Sequence, residues 1–378
     1  MVSTQPYGTA PVDLTPGSFE FSMHMCDLAS FSPVPVDALN NGVGKLPALG
    51  YNTWNAYGCN IDEDLVLESA QLMVSLGLQA VGYEYVNIDD CYAEKNRSAS
   101  GDIVADSVRF AHGMKNLTDQ IHKLGFKTGI YSDSGWFTCG GYPGSFQNEL
   151  RDATTFQDWG FDYLKFDNCA IPFDDIIREG MIGKYTRMSD ALAQLSQSSG
   201  QPPFLFSLCQ WGWEQVWLWG STLGHSWRVT GDIAPEWDSL ALIINFNSFI
   251  TQATDFYGHN DMDMPDWTSN STSPAQYYSG PSENGTVFML LNTLNETSDM
   301  FFNLTESPWI RAGRQYSVRD LWTHTDNGTA VRNFTAVDVP PHGVVALLLN
   351  DAGDEPAGIF PPCAVWFNCA YENGTAAN

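Results

Sequence analysis

The sequence predicts an α/β fold: a TIM-type (β/α)8 barrel that is incomplete, with about seven strands, followed by an antiparallel β-sandwich domain. From about residue 46, short β-branched and aromatic runs with polar ends alternate with amphipathic stretches, which is a βα alternation. Seven strand ends can be counted, at spacings between 23 and 42 residues, close to the roughly 30 residues per barrel unit. After Pro265, short alternating segments between Gly, Asn and Pro turns predict the antiparallel domain.

The predicted elements divide the chain into four parts. These are an N-terminal extension at 1–43, the barrel at 44–264, the sandwich at 265–350 and a Gly- and Pro-rich tail at 351–378. The predicted barrel strands are Tyr51–Trp54, Tyr85–Asp90, Thr128–Asp133, Tyr163–Asp167, Leu205–Gln210, Trp227–Asp232 and Asp255–Asp263. The predicted barrel helices include Glu63–Leu76, Ser107–Leu124 and Asp238–Ile250, and the predicted sandwich strands are Thr286–Leu291, Gln315–Leu321, Thr329–Phe334 and Gly343–Leu349.

Composition narrows the class of protein. The 378 residues are 43% hydrophobic and 16% charged, which is enough apolar surface for a sizeable core. A formal net charge of −27 would repel a phosphate backbone or an anionic membrane surface. No apolar run approaches the roughly 18 residues that span a bilayer. We therefore expect a protein that binds neither nucleic acid nor membrane; its oligomeric state is not indicated.

Glycosylation acceptors and cysteines indicate the secretory pathway. Eight cysteines make an even number without a C-x-x-C pair, so disulfides are favoured over zinc or a redox motif. Residues 1–40 lack the pattern of a signal peptide, and we expect that one was lost or that the start was misassigned upstream of residue 41. Secretion is inferred from the Asn-X-Ser/Thr sites at Asn96, Asn116, Asn270, Asn284, Asn295, Asn303, Asn327, Asn333 and Asn373.

Acidic and aromatic side chains follow the predicted strands. The carboxyl ends of parallel barrel strands share one cleft, so these side chains are expected to meet there. Aromatic faces stack on sugar C–H faces, and a pair of carboxylates can catalyse glycoside hydrolysis, so a sugar substrate is predicted. The alternative for any single Asp is helix or loop capping. The residues that mark the strand ends are Trp54, Asp89, Tyr131, Asp167, Cys209, Asp232 and Asp261.

The fourth predicted strand carries two charged residues in an apolar run. Lys165 and Asp167 alternate in Tyr163–Asp167, so both are expected to face the barrel axis. An ionised carboxylate beside a lysine at the barrel mouth suits the nucleophile of a retaining glycosidase. The alternative is a buried ion pair that only holds the strand in place.

Several segments together resemble glycoside hydrolase family 27, the eukaryotic α-galactosidases and α-N-acetylgalactosaminidases. The barrel segments are Pro47–Tyr57, Val86–Cys91, Gly129–Asp133 and Tyr163–Cys169, and the sandwich segments are Tyr316–Trp322 and Pro341–Val345. The resemblance covers about four fifths of the chain, from about Gly44 to Leu349. It implies a secreted exo-glycosidase that removes terminal α-D-galactosyl residues with retention, from an α-galactoside substrate and with no cofactor.

The resemblance also implies individual roles. Asp167 would be the nucleophile and Asp232 the acid/base. Trp54 would stack on the sugar, and Arg228 would bind O2. The other positions implied to contact the substrate are Asp89 and Asp90 at O4 and O6, Lys165 at O3 and O4, Tyr131 beside the nucleophile, and Cys209, Trp211, Asp261 and Met264.

Trp211 bears on which sugar is selected. Trp211 on the fifth strand would leave room for a 2-hydroxyl but clash with an acetamido group, which favours α-galactosidase over α-N-acetylgalactosaminidase.

The resemblance implies disulfides between Cys59 and Cys91 and between Cys139 and Cys169. In some relatives the residue equivalent to Cys209 has a disulfide partner, and the position of that partner is Gly224 in this chain. Cys209 is therefore expected to be a free thiol. A metal at Asp89 and Asp90 is disfavoured because no histidine or third carboxylate follows at ligand spacing.

The resemblance breaks after Met264. Family members continue there through the seventh barrel helix, an eighth strand and an eighth helix, whereas this chain passes directly to Pro265 and the sandwich. Roughly two βα units, on the order of 60 residues, are therefore absent. We therefore expect an open, destabilised barrel. Three hypotheses remain at this point: an active secreted α-galactosidase, a carbohydrate-binding pseudoenzyme, and a defective product that does not fold stably.

Overall fold

The computed structural model describes residues 39–250 and 276–357. The predicted seventh strand Asp255–Asp263, the junction at Met264 and the tail cysteines Cys363 and Cys369 lie outside the described residues. Within the described residues, one parallel sheet and one antiparallel sheet form separate layers, each over its own hydrophobic core.

Six parallel strands form the first sheet, and their spatial order is their order in the chain. The two outer strands of this sheet are β1 and β6, so among the described strands the sheet is an open, incomplete barrel, as the sequence predicts. The bounds are β1 Gly50–Asn52, β2 Tyr85–Asn87, β3 Lys127–Asp133, β4 Tyr163–Asp167, β5 Leu205–Leu208 and β6 Ser226–Trp227.

Helices connect successive strands on the outside of the sheet. No helix in 39–250 or 276–357 combines the length and apolar character needed to cross a membrane. Helix α5 is interrupted at Gly180, whose φ is 65°. The bounds are α1 Trp54–Tyr57, α2 Glu63–Ser75, α3 Met114–Lys123, α4 Glu149–Asp158, α5 Phe173–Ser199, α6 Gly220–Leu223 and α7 Trp237–Ile250.

The start of α3 differs from the predicted helix Ser107–Leu124. The Asp106 carboxylate accepts the backbone N–H groups of Val108 and Arg109, each at 3.0 Å, and holds this segment in a turn. Gly113, with φ 81°, then precedes the first helical residue, Met114. From Met114 on, the apolar pattern predicts the helix correctly. Before Met114, the hydrogen bonds of the Asp106 side chain hold the backbone in a turn in place of the predicted helix.

Strand β4 is central to the site and alternates as predicted. Leu164 and Phe166 are fully buried on the helix side, where the Phe166 ring meets Tyr185 of α5 edge to face at 5.9 Å. Burial of side chains of this size stabilises the fold by about 1.5 to 3 kcal/mol each. Lys165 and Asp167 therefore face the opposite side of the sheet.

The second sheet is antiparallel, with strand order β7-β8-β13-β10-β11-β12-β9. Phe288 on β8 and Phe302 on β9 are far apart in this order, yet their rings stack at 4.9 Å, so the sheet folds over into a sandwich. The predicted strand Thr329–Phe334 is two strands, because Arg332 at φ 68° turns the chain between them. The bounds are β7 Tyr277–Ser282, β8 Gly285–Leu291, β9 Ser298–Asn303, β10 Arg314–Asp320, β11 Asp326–Val331, β12 Asn333–Val339 and β13 Val344–Asp354.

Candidate active site

A largely buried ion pair joins the middle of β4 to the residues that follow β2. Lys165 Nζ donates to Asp89 Oδ2 at 2.7 Å, and Asn52 Nδ2 donates to the same oxygen at 2.8 Å. Burial opposes the charge of the ammonium, but Asp89 together with Cys209 and Asp167 outweighs burial, and the net effect raises the pKa of Lys165. The pair therefore presents a fixed cation and a fixed carboxylate on the inner face of the sheet.

Asp90 is buried and anchored by the loop that follows β3. Its carboxylate accepts from Thr138 Oγ1 at 2.9 Å and from the backbone N–H groups of Cys91 and Gly140 at 2.6 and 2.7 Å. Burial raises its pKa, and these hydrogen bonds oppose the rise. The disulfide between Cys59 and Cys91 fixes the same strand end.

Asp167, at the end of β4, is 6% exposed and accepts three hydrogen bonds. Tyr131 Oη donates to Oδ2 at 2.8 Å, while Trp211 Nε1 and the Asn168 backbone N–H donate to Oδ1 at 3.1 and 2.9 Å. All three groups are donors, so they match a carboxylate, which accepts only. Lys165 Nζ lies 5.1 Å from the centre of the Tyr131 ring, which links this carboxylate to the Asp89 pair.

The loops after β3 and β4 approach each other closely. A Cβ on Gly135 would lie 2.1 Å from the Cys169 carbonyl oxygen, so this position requires glycine. The disulfide Cys139–Cys169 joins the same two loops. Asp133, fully buried beside it, accepts from the N–H groups of Gly135 and Cys169 at 2.8 and 2.9 Å. Burial raises the pKa of Asp133 to about 8.

Cys209 and Arg228 form the β5–β6 side of the site. Cys209 is a buried free thiol, as predicted, and burial, with the charge of Asp167 adding to it, raises its pKa. Arg228 Nη1 lies 3.7 Å from the Cys209 sulfur and donates to Asp232 Oδ1 at 2.8 Å. The Asp232 side chain is 78% exposed, and among the described residues its carboxylate pairs with Arg228.

Two tryptophans at strand ends are half-buried. Trp54 begins the short helix after β1, where its N–H donates to Asn52 Oδ1 at 2.9 Å. Trp211 follows β5 in the left-handed region, at φ 65°, and Cys91 and Ala170 adopt positive φ after β2 and β4. Such backbone strain in residues other than glycine is typical of functional sites.

The predicted site residues thus fall into three groups. One contact network contains Asp89, Asp90, Tyr131, Lys165, Asp167 and Trp211, with Trp54 connected to Asp89 through Asn52. A second contains Cys209, Arg228 and Asp232, and it meets the first where Cys209 interacts with Asp167. Asp261 and Met264 lie outside the described residues. Among residues 39–250 and 276–357, the side chains grouped closely enough to bind a metal ion are Asp133, Cys139 and Cys169. The two cysteine sulfurs are bonded to each other in a disulfide, so they are not thiolate ligands.

Sequence reasoning missed Asp133, Asn168 and Lys184. Lys184 on α5 is 2% exposed and donates to Asn168 Oδ1. A signal was available, because Lys184 occupies the apolar face of α5 between the buried Met181 and Met188. A charged residue on that face needs a buried partner.

Two family models match the chain. One, described as alpha galactosidase A, matches residues 46–267, and the other, an alpha galactosidase C-terminal beta sandwich domain, matches residues 272–349. The first span contains the parallel sheet, and the second covers most of the antiparallel sheet.

Individual relatives agree with the family models. The probable alpha-galactosidase B of Talaromyces emersonii is 34% identical over 433 residues, covering 84% of this chain and 95% of that protein. The alpha-galactosidase of Cyamopsis tetragonoloba is 42% identical over 240 residues, covering 63% of this chain and 56% of that protein. The crystal structure of alpha-galactosidase I from Mortierella vinacea has a TM-score of 0.68 at 30% identity, covering 84% of this chain and all of that one.

The Talaromyces alignment also compares the lengths of the two chains. It extends over 433 positions, whereas 84% of 378 residues is about 318, so about 115 positions of the relative have no counterpart here. Over the aligned region this chain is therefore shorter than the Talaromyces protein. With both family models matched over most of its length, the chain belongs to the melibiase family of α-galactosidases, glycoside hydrolase family 27.

Proposed function

We propose that the protein hydrolyses terminal, non-reducing α-D-galactosyl residues with net retention, with Asp167 as nucleophile and Asp232 as acid/base. The observation that carries this proposal is the setting of Asp167. It is a buried carboxylate at a barrel strand end with three donors directed at its oxygens. A fixed carboxylate of this kind is what covalent glycoside catalysis requires.

The reaction has two steps. In the first, an Asp167 oxygen bonds to the anomeric carbon as the bond to the leaving oxygen breaks, and Asp232 gives its proton to that oxygen. In the second, Asp232 removes a proton from water, the water oxygen bonds to the anomeric carbon, and Asp167 is released. Two inversions at one carbon give net retention.

The Asp89–Lys165 pair is suited to galactose hydroxyls. A carboxylate accepts from hydroxyl groups and an ammonium donates to them, and the 2.7 Å contact holds both in place before the sugar arrives. We assign O4 and O6 to Asp89 and Asp90, and O3 and O4 to Lys165. Asp90 already accepts three hydrogen bonds, so its orientation is fixed by the protein.

The remaining roles concern the edge of the sugar. Trp54 is proposed to stack on its apolar face, and Arg228 to bind O2. Trp211, held by its hydrogen bond to Asp167, is proposed to exclude an acetamido group at C2. The α-N-acetylgalactosaminidase alternative is therefore disfavoured, in agreement with the names of the curated relatives. Asp261 and Met264 keep their proposed contacts with substrate as family positions.

Export from the cell is part of the proposal. Two disulfides are present among the described residues, and such bonds persist in oxidising compartments. The nine glycosylation acceptors favour the same route.

The test follows the first-formed sugar by NMR with an aryl α-galactoside. The α-anomer of galactose is expected to appear first and then mutarotate. Initial release of the β-anomer would contradict the assignment of Asp167 as nucleophile. Binding of galactose without turnover would instead favour the pseudoenzyme hypothesis.

A further inference from the structure

A buried lysine lies behind the proposed nucleophile. Lys184 on α5 is 2% exposed, and its ammonium donates to Asn168 Oδ1. Asn168 directly follows Asp167, and its backbone N–H donates to Asp167 Oδ1 at 2.9 Å. A contact that fixes the Asn168 side chain therefore also fixes the peptide group that supports the nucleophile.

The charges that face Lys184 come from several elements. Asp133 at the end of β3, Asp167 at the end of β4 and Glu214 after β5 favour the ammonium, whereas Arg187 on α5 opposes it. Burial lowers the pKa of Lys184 to about 8, against the pull of these carboxylates. Lys184 is thus a cation on the helix side of Asp133 and Asp167. Lys165, which pairs with Asp89, and Arg228 also interact with the charge of Asp167, from the inner side of the sheet and from the end of β6.

We infer that Lys184 is a positioning residue for the hydrolysis: its ammonium orients Asn168, whose backbone N–H holds the Asp167 carboxylate, and it places a positive charge behind that carboxylate. This inference rests on the proposed role of Asp167. Lys184 itself does not touch the sugar, because it reaches the site through Asn168 from the outer helix.

The residue next to Lys184 allows a purely structural role of this part of α5 to be distinguished from an effect of the Lys184 charge. Tyr185 is equally buried, and its hydroxyl donates to the Cys209 carbonyl oxygen at 3.2 Å. It ties the same helical turn to the next strand end, but without a charge. Tyr185→Phe is therefore the matched control for loss of an anchor alone.

The experiment measures kcat/KM for p-nitrophenyl α-galactoside against pH in the unmutated protein and in Lys184→Gln, Lys184→Arg and Tyr185→Phe. Lys184→Gln is expected to move the acid limb upward by about one pH unit or more, since a nearby opposite charge is lost. Its kcat is expected to fall at least tenfold with KM changed less than threefold. Lys184→Arg is expected to restore the acid limb of the unmutated protein. Tyr185→Phe is expected to lower the urea midpoint and to leave the acid limb where it is.

An unmoved acid limb in folded Lys184→Gln would overturn the inference, and so would an equal shift in Tyr185→Phe. If Lys184→Gln does not fold, Asn168→Ala decides, because it cuts the contact and keeps the charge. A tenfold lower kcat at unchanged KM would support the inference, and full activity would overturn it. No turnover by the unmutated protein would instead contradict the proposed function.

Discussion

The two proposed catalytic carboxylates have opposite surroundings. Asp167 is 6% exposed and held by a phenol, an indole and a backbone N–H. The Asp232 side chain is 78% exposed and paired with Arg228, four residues earlier in the same loop. Exposed ion pairs of this kind contribute only about 0 to 1 kcal/mol.

Strand neighbours explain the difference. Strand β4 pairs with β3 and β5 over most of its length, so loops from both sides reach the end of it. Strand β6 has two residues, pairs with β5 and is an outer strand of the described sheet. Among the described strands, the carboxylate at the end of a strand paired on both sides is preorganised, and the carboxylate that follows the outer strand β6 is not.

The largest expected effect distinguishes Asp167 from Asp232 by how the loss of activity in each variant depends on the leaving group of the substrate. Asp167→Asn is expected to lower kcat/KM by more than about 10⁴-fold on every α-galactoside, because the bond-forming oxygen nucleophile is lost. Asp232→Asn is expected to cost about 10² to 10⁴-fold on a galactosyl oligosaccharide, which needs a proton donor. On p-nitrophenyl α-galactoside its loss is expected to be much smaller, since p-nitrophenolate leaves without a proton.

The measurement is kcat/KM for both variants on both substrates, because this ratio reports the first chemical step. The exposed Asp232→Asn variant also serves as a folding control, with an expected urea midpoint close to that of the unmutated protein. Equal losses on the two substrates would remove Asp232 from the role of proton donor.

Much of this comparison could be predicted from the sequence, and some of it could not. Lys165 and Asp167 were placed correctly on one face of β4, because a period of two in a buried strand leaves little choice. The exposure of Asp232 was not predicted, since a strand-end motif says nothing about whether neighbouring strands cover it. Lys184 was missed for a related reason: its partner Asn168 is 16 residues away in the chain, and only tertiary packing unites them.

The amino end of β6 offers a second test, because it is as enclosed as its carboxyl end is open. His225 is 4% exposed, its Nδ1 accepts from the Phe206 N–H at 2.9 Å, and its Nε2 lies 2.9 Å from Asn41 Oδ1. Burial lowers the pKa of His225 to about 4, from an ordinary value of 6.5. Between these values the unfolded chain binds a proton that the folded chain does not, so stability is lost as pH falls from 6.5 to 4. The loss is about 3 kcal/mol in total.

Urea unfolding at pH 7, 5.5 and 4.5 measures this loss, with His225→Asn as the control. The asparagine oxygen can accept from Phe206 but does not titrate, so its stability is expected to fall less over the same range. Carboxylates contribute equally in both proteins and cancel in the difference. Parallel pH dependences would mean that the amino end of β6 is as open as the loop with Asp232.

Trp211 lies at the border between the two halves of the site, and the smallest expected effect concerns it. Its indole donates to Asp167 Oδ1 at 3.1 Å, and it follows β5, the strand next to β6. The unmutated protein is expected to prefer an aryl α-galactoside over the α-N-acetylgalactosaminide by more than about tenfold in kcat/KM, because the indole opposes an acetamido group. Trp211→Ala is expected to narrow that ratio.

Trp211→Phe is the control. It is expected to keep the ratio between the two substrates, since a ring still fills the space. Its kcat is expected to fall roughly tenfold, because one hydrogen bond to a charged group is lost. Comparable kcat/KM on both substrates before any mutation would show that the end of β5 does not select the sugar.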